Sequence, residues 1–506
     1  MIKKSSIKNR IIRAGTITVI GSGISLVLSM GVRMVIARVY GPEGMGEYAG
    51  FMMFLSLSGV IAAFSLPRAV LKFSAEYEEN NQPGNVKKLF SSVFFLLTGS
   101  CLIVAVLALI FTPHLAGIIH LQVTPGLTLL LGLTLLLATY SVLASTLFLG
   151  LLQNLRAFAV SIVSVLAMIG LAGYAYLTAP FPVYLLIVAG YLVSAVVGMT
   201  LVVRQGLLGF EFSGREIKKA VRFALPLMLM AYLAFFVEWF DRITLGMYFG
   251  QAEIGLFSAG LALFVAARRL PLSLTEVLVP SYSKISLHGK EVLSRAYGKN
   301  IYFYALIFFF ISGVLILFHR ELITIMYTDE FLPAADILLI LGGSFVLSVI
   351  TNPGSSLLVG CGYTKLNTIN YIIGVVVLIP ALLVFSRWGI RGAAAAKMLT
   401  HAVTTAGMIF ILTRVIGLKI PFKPLLKLFA FTLLTGLLTG LAKTILPFLA
   451  SLLFFGVIYT GGVWFIVLTE EDKEYLKEIW IKIRTGNKMF REPGVDWEED
   501  SEVPKV

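Results

Sequence analysis

The chain has 506 residues, of which 58% are hydrophobic and 13% charged, against about 45–50% and about 25% in a soluble globular protein, and its formal net charge is +14. That balance excludes a water-soluble domain. Two separated cysteines, Cys101 and Cys361, and five scattered histidines give neither a disulfide framework nor a metal-ligand spacing, so no metal site or cofactor is expected.

A hydrocarbon core of about 30 Å is crossed by about 20 apolar residues in a helix. Fourteen such stretches follow one another, predicting helices at 16–38, 47–66, 88–112, 126–149, 157–177, 182–203, 220–247, 253–280, 298–318, 333–357, 366–385, 391–413, 424–441 and 445–468. The first is too long for a signal-peptide core and lacks a convincing cleavage site, so it is expected to be retained. The fold class is therefore an all-α polytopic membrane protein.

Orientation follows from where Lys and Arg fall. Lys3, Lys4, Lys8, Arg10 and Arg13 precede the first span, and Arg204, Arg215, Lys218, Lys219 and Arg222 lie between the sixth and seventh. Lys284, Lys290, Arg295 and Lys299, then Arg414, Lys419, Lys423 and Lys427, fall on the same side, while the opposite loops and helix ends carry Arg38, Arg320, Arg387, Arg391 and Lys443. Both termini are thus expected in the cytoplasm, with the basic residues beside anionic headgroups. Spread along one membrane face, they do not suggest nucleic-acid binding. The tail after Glu470 begins amphipathic and ends acidic and proline-broken, as expected of surface attachment followed by disorder.

The chain contains a second copy of itself. RMVIARVYGPEGMGEYA from Arg33 lies over RITLGMYFGQAEIGLFS from Arg242, pairing Arg33 with Arg242, Gly41 with Gly250 and Gly46 with Gly255; one residue out of that register, Ser145 pairs with Ser355 and Gly150 with Gly360. Six spans separate the copies, which keeps the halves parallel across the membrane. The expectation is two six-helix lobes, 1–212 and 213–415, related by a pseudo-two-fold axis along the membrane normal, then two further helices in 416–469 and a cytoplasmic tail in 470–506. Two lobes in one chain make a monomer sufficient.

VRMVIARVYGPEGMGEYA, FSLPRAVLKFSAEY and RFALPLMLM resemble segments of the polysaccharide-transporter branch of the multidrug, oligosaccharidyl-lipid and polysaccharide exporter superfamily, over essentially the whole chain. This O-antigen-flippase-like branch is related to lipid II flippases. The resemblance implies a cell-membrane flippase, not an enzyme, that moves an isoprenoid-linked oligosaccharide from the cytoplasmic to the outer leaflet by alternating access. Lipid II flippases carry an arginine in the place matching Arg33 and a basic residue and leucine before a proline like Arg269, Leu270 and Pro271. They place another arginine within the second span, where this chain has none until Arg68, which puts lipid II itself in doubt as cargo.

Charges inside spans mark a pathway, since an Arg at a helix centre costs about 2.5–3.5 kcal/mol on insertion scales. They are Arg33, Arg68, Glu238, Asp241, Arg242, Arg268, Arg269, Glu276 and Lys397, positive in sum and so suited to an anionic headgroup. Arg33, Arg268, Arg269 and Arg68 are the candidate headgroup ligands. Arg242 is expected to be neutralised by Glu238 four residues before it and by Asp241, whereas Arg33 has Ser29 and Val32 in those places; Arg33 could otherwise snorkel to the interface. Asp241 and Glu238, with Asn367 and Asn370, are candidates for coupling to H+ or Na+, although a Glu238–Arg242 pair that merely permits insertion is the alternative. Gly21, Gly23 and Gly31, with Pro226, Pro271 and Pro280, mark the first, seventh and eighth spans as the moving elements.

Two other functions compete. A multidrug or metabolite cation antiporter of the same superfamily needs unpaired carboxylates, whereas the intramembrane excess here is positive. A membrane glycosyltransferase or polymerase needs acidic residues on sizeable loops, and the longer external loops offer only Glu321, Asp329 and Glu330.

Overall fold

The computed structural model describes residues 2–118, 124–470 and 472–474, the side chains at 2–20, 22, 112–118, 270, 273, 274, 276 and 277 excepted. The expectations for the tail beyond 474, for His114 and His120, for the side chains of the N-terminal basic residues and for that of Glu276 lie outside the described residues. In chain order the helices are α1 (Ile2–Ala63), α2 (Leu66–Glu79), α3 (Pro83–Ile118), α4 (Pro125–Gly150), α5 (Asn154–Leu177), α6 (Tyr184–Arg204), α7 (Gly214–Tyr248) and α8 (Gln251–Ile285). There follow α9 (Lys290–Leu317), α10 (His319–Met326), α11 (Ala335–Gly342), α12 (Ser344–Gly360), α13 (Thr364–Phe385), α14 (Gly389–Phe410), α15 (Phe422–Ala442) and α16 (Phe448–Gly462). No strand occurs among the described residues.

Among the described residues eleven helical runs are long and apolar enough to cross a membrane, or twelve when the pair Asp329–Gly342 and Ser344–Gly360, bent by 48°, counts as one. Two of the eleven contain a break. In α1 it falls at Gly41 (φ 64°, ψ −166°), with Pro42 opening the second limb. Glycine takes this conformation without a Cβ penalty, and proline is pre-set for a first helical turn, so the second limb starts earlier than the predicted 47. The other break is the 3₁₀ turn Ser386–Trp388 ahead of Gly389 (φ 69°). Beyond it α14 runs antiparallel to α13: the Asn370 side chain reaches the Thr404 carbonyl (3.2 Å), while Gly374 faces Thr404 and Thr400.

Helix α2 is too short to be a span, and the apolar pattern predicts no helix over 67–79. The chain leaves α1 through Phe64 and Ser65, both at positive φ, and α2 then buries Leu66, Ala69, Val70, Phe73 and Tyr77 while exposing Arg68, Lys72 and Glu76. That is an amphipathic helix with apolar residues at helical spacing.

The chain divides into two compact units, Met1–Ile420 and Pro421–Val506. In the second, α15 and α16 are held by the Phe431 and Tyr459 rings (6.2 Å), while Lys427 Nζ meets the Ile466 carbonyl just beyond α16 (2.8 Å). In the first, packing and interhelical hydroxyl bonds replace the hydrophobic drive that lipid cannot supply, each bond contributing about 0.6 kcal/mol. Ser194 on α6 donates to the Val160 carbonyl on α5 (2.7 Å) and lies 2.5 Å from the Ser141 hydroxyl on α4. Ser312 on α9 donates to the Gly342 carbonyl (2.8 Å), and Ser356 on α12 to the Thr275 carbonyl on α8 (3.0 Å).

Candidate functional site

Within Met1–Ile420 a cavity of about 490 Å³ opens between α1, α4, α5 and α6 on one side and α7 and α8 on the other. Its charged lining is Arg33 from α1, Arg269 from α8 and Glu238 from α7. Ser29, Ser141, Ser145, Ser161, Ser164, Ser194 and Thr146 supply hydroxyls, and Tyr48, Tyr191, Met52 and Met168 supply adaptable apolar surface. Arg33 and Arg269 make no ion pair among the described residues, so two guanidiniums face one carboxylate in a space large enough for a small ligand. Arg33 also lies within electrostatic range of Tyr48 and Tyr327.

The other expected residues lie elsewhere. Arg268, one position from Arg269, turns about 100° around the helix and is absent from the cavity lining; its Nε is buried without a hydrogen-bond acceptor among the described residues, and the guanidinium acts electrostatically on His401 of α14. Arg68 is exposed at the start of α2, outside the cavity lining. Asn370 is committed to α14 through Thr404, and Asn367 lies one turn before it on α13. Lys397, which meets Asp241, is seven residues before Thr404 on α14, about 10 Å away along the axis, so the two asparagines do not join the acidic pair.

Glu238 and Asp241 take different surroundings. Asp241 is fully buried between Arg242 Nη1 (3.1 Å) on its own helix and Lys397 Nζ (2.7 Å) on α14, and Lys397 also reaches the Val237 carbonyl (3.3 Å). The expected Glu238–Arg242 ion pair does not form. Arg242 instead donates to the backbone carbonyl of Glu238, lies over the Trp239 ring (4.7 Å) and reaches Ser258 (3.4 Å), because the adjacent buried carboxylate attracts it more strongly than one facing the cavity. Lys397 and Ser258, partners that sequence spacing could not supply, decide this arrangement.

The repeat-related glycines make reciprocal contacts. A Cβ on Gly46 would overlap the Gln251 carbonyl, and one on Gly255 would overlap the Pro42 carbonyl; Gln251 is the repeat partner of Pro42, as Gly255 is of Gly46. Likewise Gly150 packs on Leu71 and Ser74, and Gly360 on Val279 and Ser283. Among the described residues no group of three His, Cys, Asp or Glu is placed to hold a metal.

The chain is thus a bundle of helices long and apolar enough to cross a membrane, with a polar, charged cavity between two helix groups. A family model described as "Polysaccharide biosynthesis protein" matches residues 35–336, and the chain belongs to that family. No curated protein matches the sequence. Among solved structures the chain is similar to the lipid II flippase MurJ in its inward closed conformation (15% identity, TM-score 0.69, 88% of this chain and 98% of that one). It is also similar to a multidrug resistance MATE family transporter in its inward-facing conformation (16%, 0.63, 78% and 94%). An outward-facing structure of the same description superposes less closely (16%, 0.52, 81% and 96%).

Proposed function

We propose that the protein is a flippase that carries an isoprenoid phosphate- or diphosphate-linked oligosaccharide from the cytoplasmic to the outer leaflet of the cell membrane, as a monomer with both termini cytoplasmic. One observation carries this reading: Arg33 and Arg269, from the two halves of the repeat, line one cavity without ion-pair partners among the described residues. A diphosphate entering that space exchanges hydration for guanidinium forks, and the serine hydroxyls and tyrosines suit a sugar. The polyprenyl tail would remain in lipid.

Alternating access between lobes 1–212 and 213–415 supplies the movement, with 416–469 as an appended helix pair. Reading the limbs on either side of Gly41 and of Gly389 as separate crossings, and the bent pair 329–360 as one, supports fourteen passes, an even number consistent with both termini on one side. The reciprocal Gly46 and Gly255 contacts support an axis passing between α1 and α8 and, on the expected orientation, close the outer mouth. The better superposition on inward-facing than on outward-facing relatives supports the same state.

For coupling to H+ or Na+, Glu238 is the better of the two carboxylates. A mobile cation at Asp241 would meet two fixed positive charges, whereas Glu238 is exposed to the cavity. Export of an organic cation is the second reading, favoured by Glu238 beside Tyr48 and Tyr191 but opposed by the two arginines. A leaflet-sidedness assay in proteoliposomes decides: the flippase reading requires protein-dependent translocation of a labelled polyprenyl-diphosphate sugar. Efflux of an organic cation without that translocation would overturn it.

A further inference from the structure

The first three turns of α7 carry Arg215, Lys218, Lys219 and Arg222, spaced so that all four share one face, with Glu216 as the acidic residue of the first turn. This is electrostatically costly twice over. Like charges three and four residues apart repel, and the start of a helix is the positive end of its dipole. The four cations nevertheless converge, with Phe73 of α2 and Phe223 of α7, on a hollow of about 440 Å³. The rings meet edge-on at 5.5 Å and are already flanked by ammonium groups, Lys219 lying 4.1 Å from Phe73 and Lys72 4.6 Å from Phe223.

The available carboxylates are spent on the other side of the group. Glu76 takes Lys72 (3.6 Å) and Lys219 (3.8 Å), and Glu216 accepts from the Tyr77 hydroxyl (2.7 Å). Arg215, Lys218 and Arg222 remain exposed and without an ion-pair partner among the described residues. A general excess of cytoplasmic cations explains their sign but not their convergence on one aromatic-walled hollow between two helices.

We infer that this hollow, lined by Arg215, Lys218, Lys219 and Arg222 and walled by Phe73 and Phe223, is a binding site for a lipid-borne phosphate group. A phosphate or diphosphate placed there neutralises the repulsion along α7, accepts from two arginines and lies against ring edges at the membrane surface. The same group is carried by an anionic glycerophospholipid and by a polyprenyl diphosphate. Because the site lies outside the central cavity, it stands whether or not the transport reading holds.

The test is native mass spectrometry on the full chain in neutral detergent, titrated separately with dioleoylphosphatidylglycerol, farnesyl diphosphate and inorganic pyrophosphate. Wild type is compared with Arg215→Gln/Lys218→Gln/Arg222→Gln and with a charge-matched control, Arg414→Gln/Lys419→Gln/Lys423→Gln. The pocket variant should lose about tenfold or more in affinity for at least one lipid probe, and the control less than about twofold. Loss confined to phosphatidylglycerol assigns the site to the leaflet lipid, and loss for farnesyl diphosphate to a carrier lipid. Equal losses in both variants, or none in either, overturn the site. If the triple variant melts early, Lys218→Gln alone makes the same comparison, with about a threefold loss expected.

Discussion

Replacing Gly46 by alanine should bias the protein toward the state in which α1 and α8 part. The added Cβ overlaps the Gln251 carbonyl, a backbone atom that no rotamer change can move, whereas ordinary contact begins at 3.4 Å. The helices must therefore separate by on the order of 1 Å, at an overpacking cost of about 1–3 kcal/mol that falls only on the closed arrangement. A cost confined to one of two states shifts their ratio by about 5- to 150-fold. The readout is labelling of Ser29→Cys, a cavity position, by a membrane-impermeant maleimide added outside, with Cys101 and Cys361 replaced by alanine. Gly255→Ala should act in the same direction through the Pro42 carbonyl, and the double variant should fall short of the sum because both widen one gap. Unchanged labelling in variants that melt like the parent would show that this seam is not a gate.

Arg33→Gln and Arg269→Gln should each slow translocation of a polyprenyl-diphosphate sugar by about ten- to a hundredfold with little change in melting temperature, since each removes a charged donor from the cavity and no ion pair among the described residues. Asp241→Asn should instead destabilise by about 3–5 kcal/mol, leaving the half-buried Arg242 and Lys397 without their counter-ion, and adding Lys397→Met should recover part of the loss in a thermal melt. The Tyr77 hydroxyl is held above its ordinary value of 10.0, first by burial and then by its bond to Glu216. Because the folded state binds this proton more tightly, the contribution is complete below pH 10 and is lost as pH rises through the folded-state value. Tyr77→Phe should remove that alkaline step from the melting profile and leave the profile between pH 6 and 9 flat for this group.

The spans were legible because lipid imposes a length and a polarity that a sliding window detects. Its failures were local and physical. Helix α2 escaped because half of its surface is polar, although Leu66, Ala69, Val70, Phe73 and Tyr77 already recur at helical spacing behind Pro67. Within 333–357 the 48° bend at Gly343 went unread, since nothing in the hydropathy of that stretch reports it. The glycine pairs were visible as a repeat, but their purpose was not. Only the approach of Gly46 to Gln251 and of Gly255 to Pro42 explains why both copies keep a residue without a side chain there.

The repeat also explains why similar arginines come to different ends. Arg33 and Arg242 occupy equivalent places, yet the residue before Arg33 is the buried Val32 and the residue before Arg242 is Asp241. A carboxylate at that position needs a counter-ion once buried, and it draws Arg242 from its own helix and Lys397 from α14. The second half thereby uses its cation to join α7 to α14, which the first half has no reason to do. Arg33 makes no ion pair among the described residues and lines the cavity, as does Ser29, whose repeat partner is Glu238. One Val-to-Asp difference between the two aligned segments separates the arginine that lines the cavity from the one held by its own neighbour, and the second arginine in the cavity lining is Arg269 on α8.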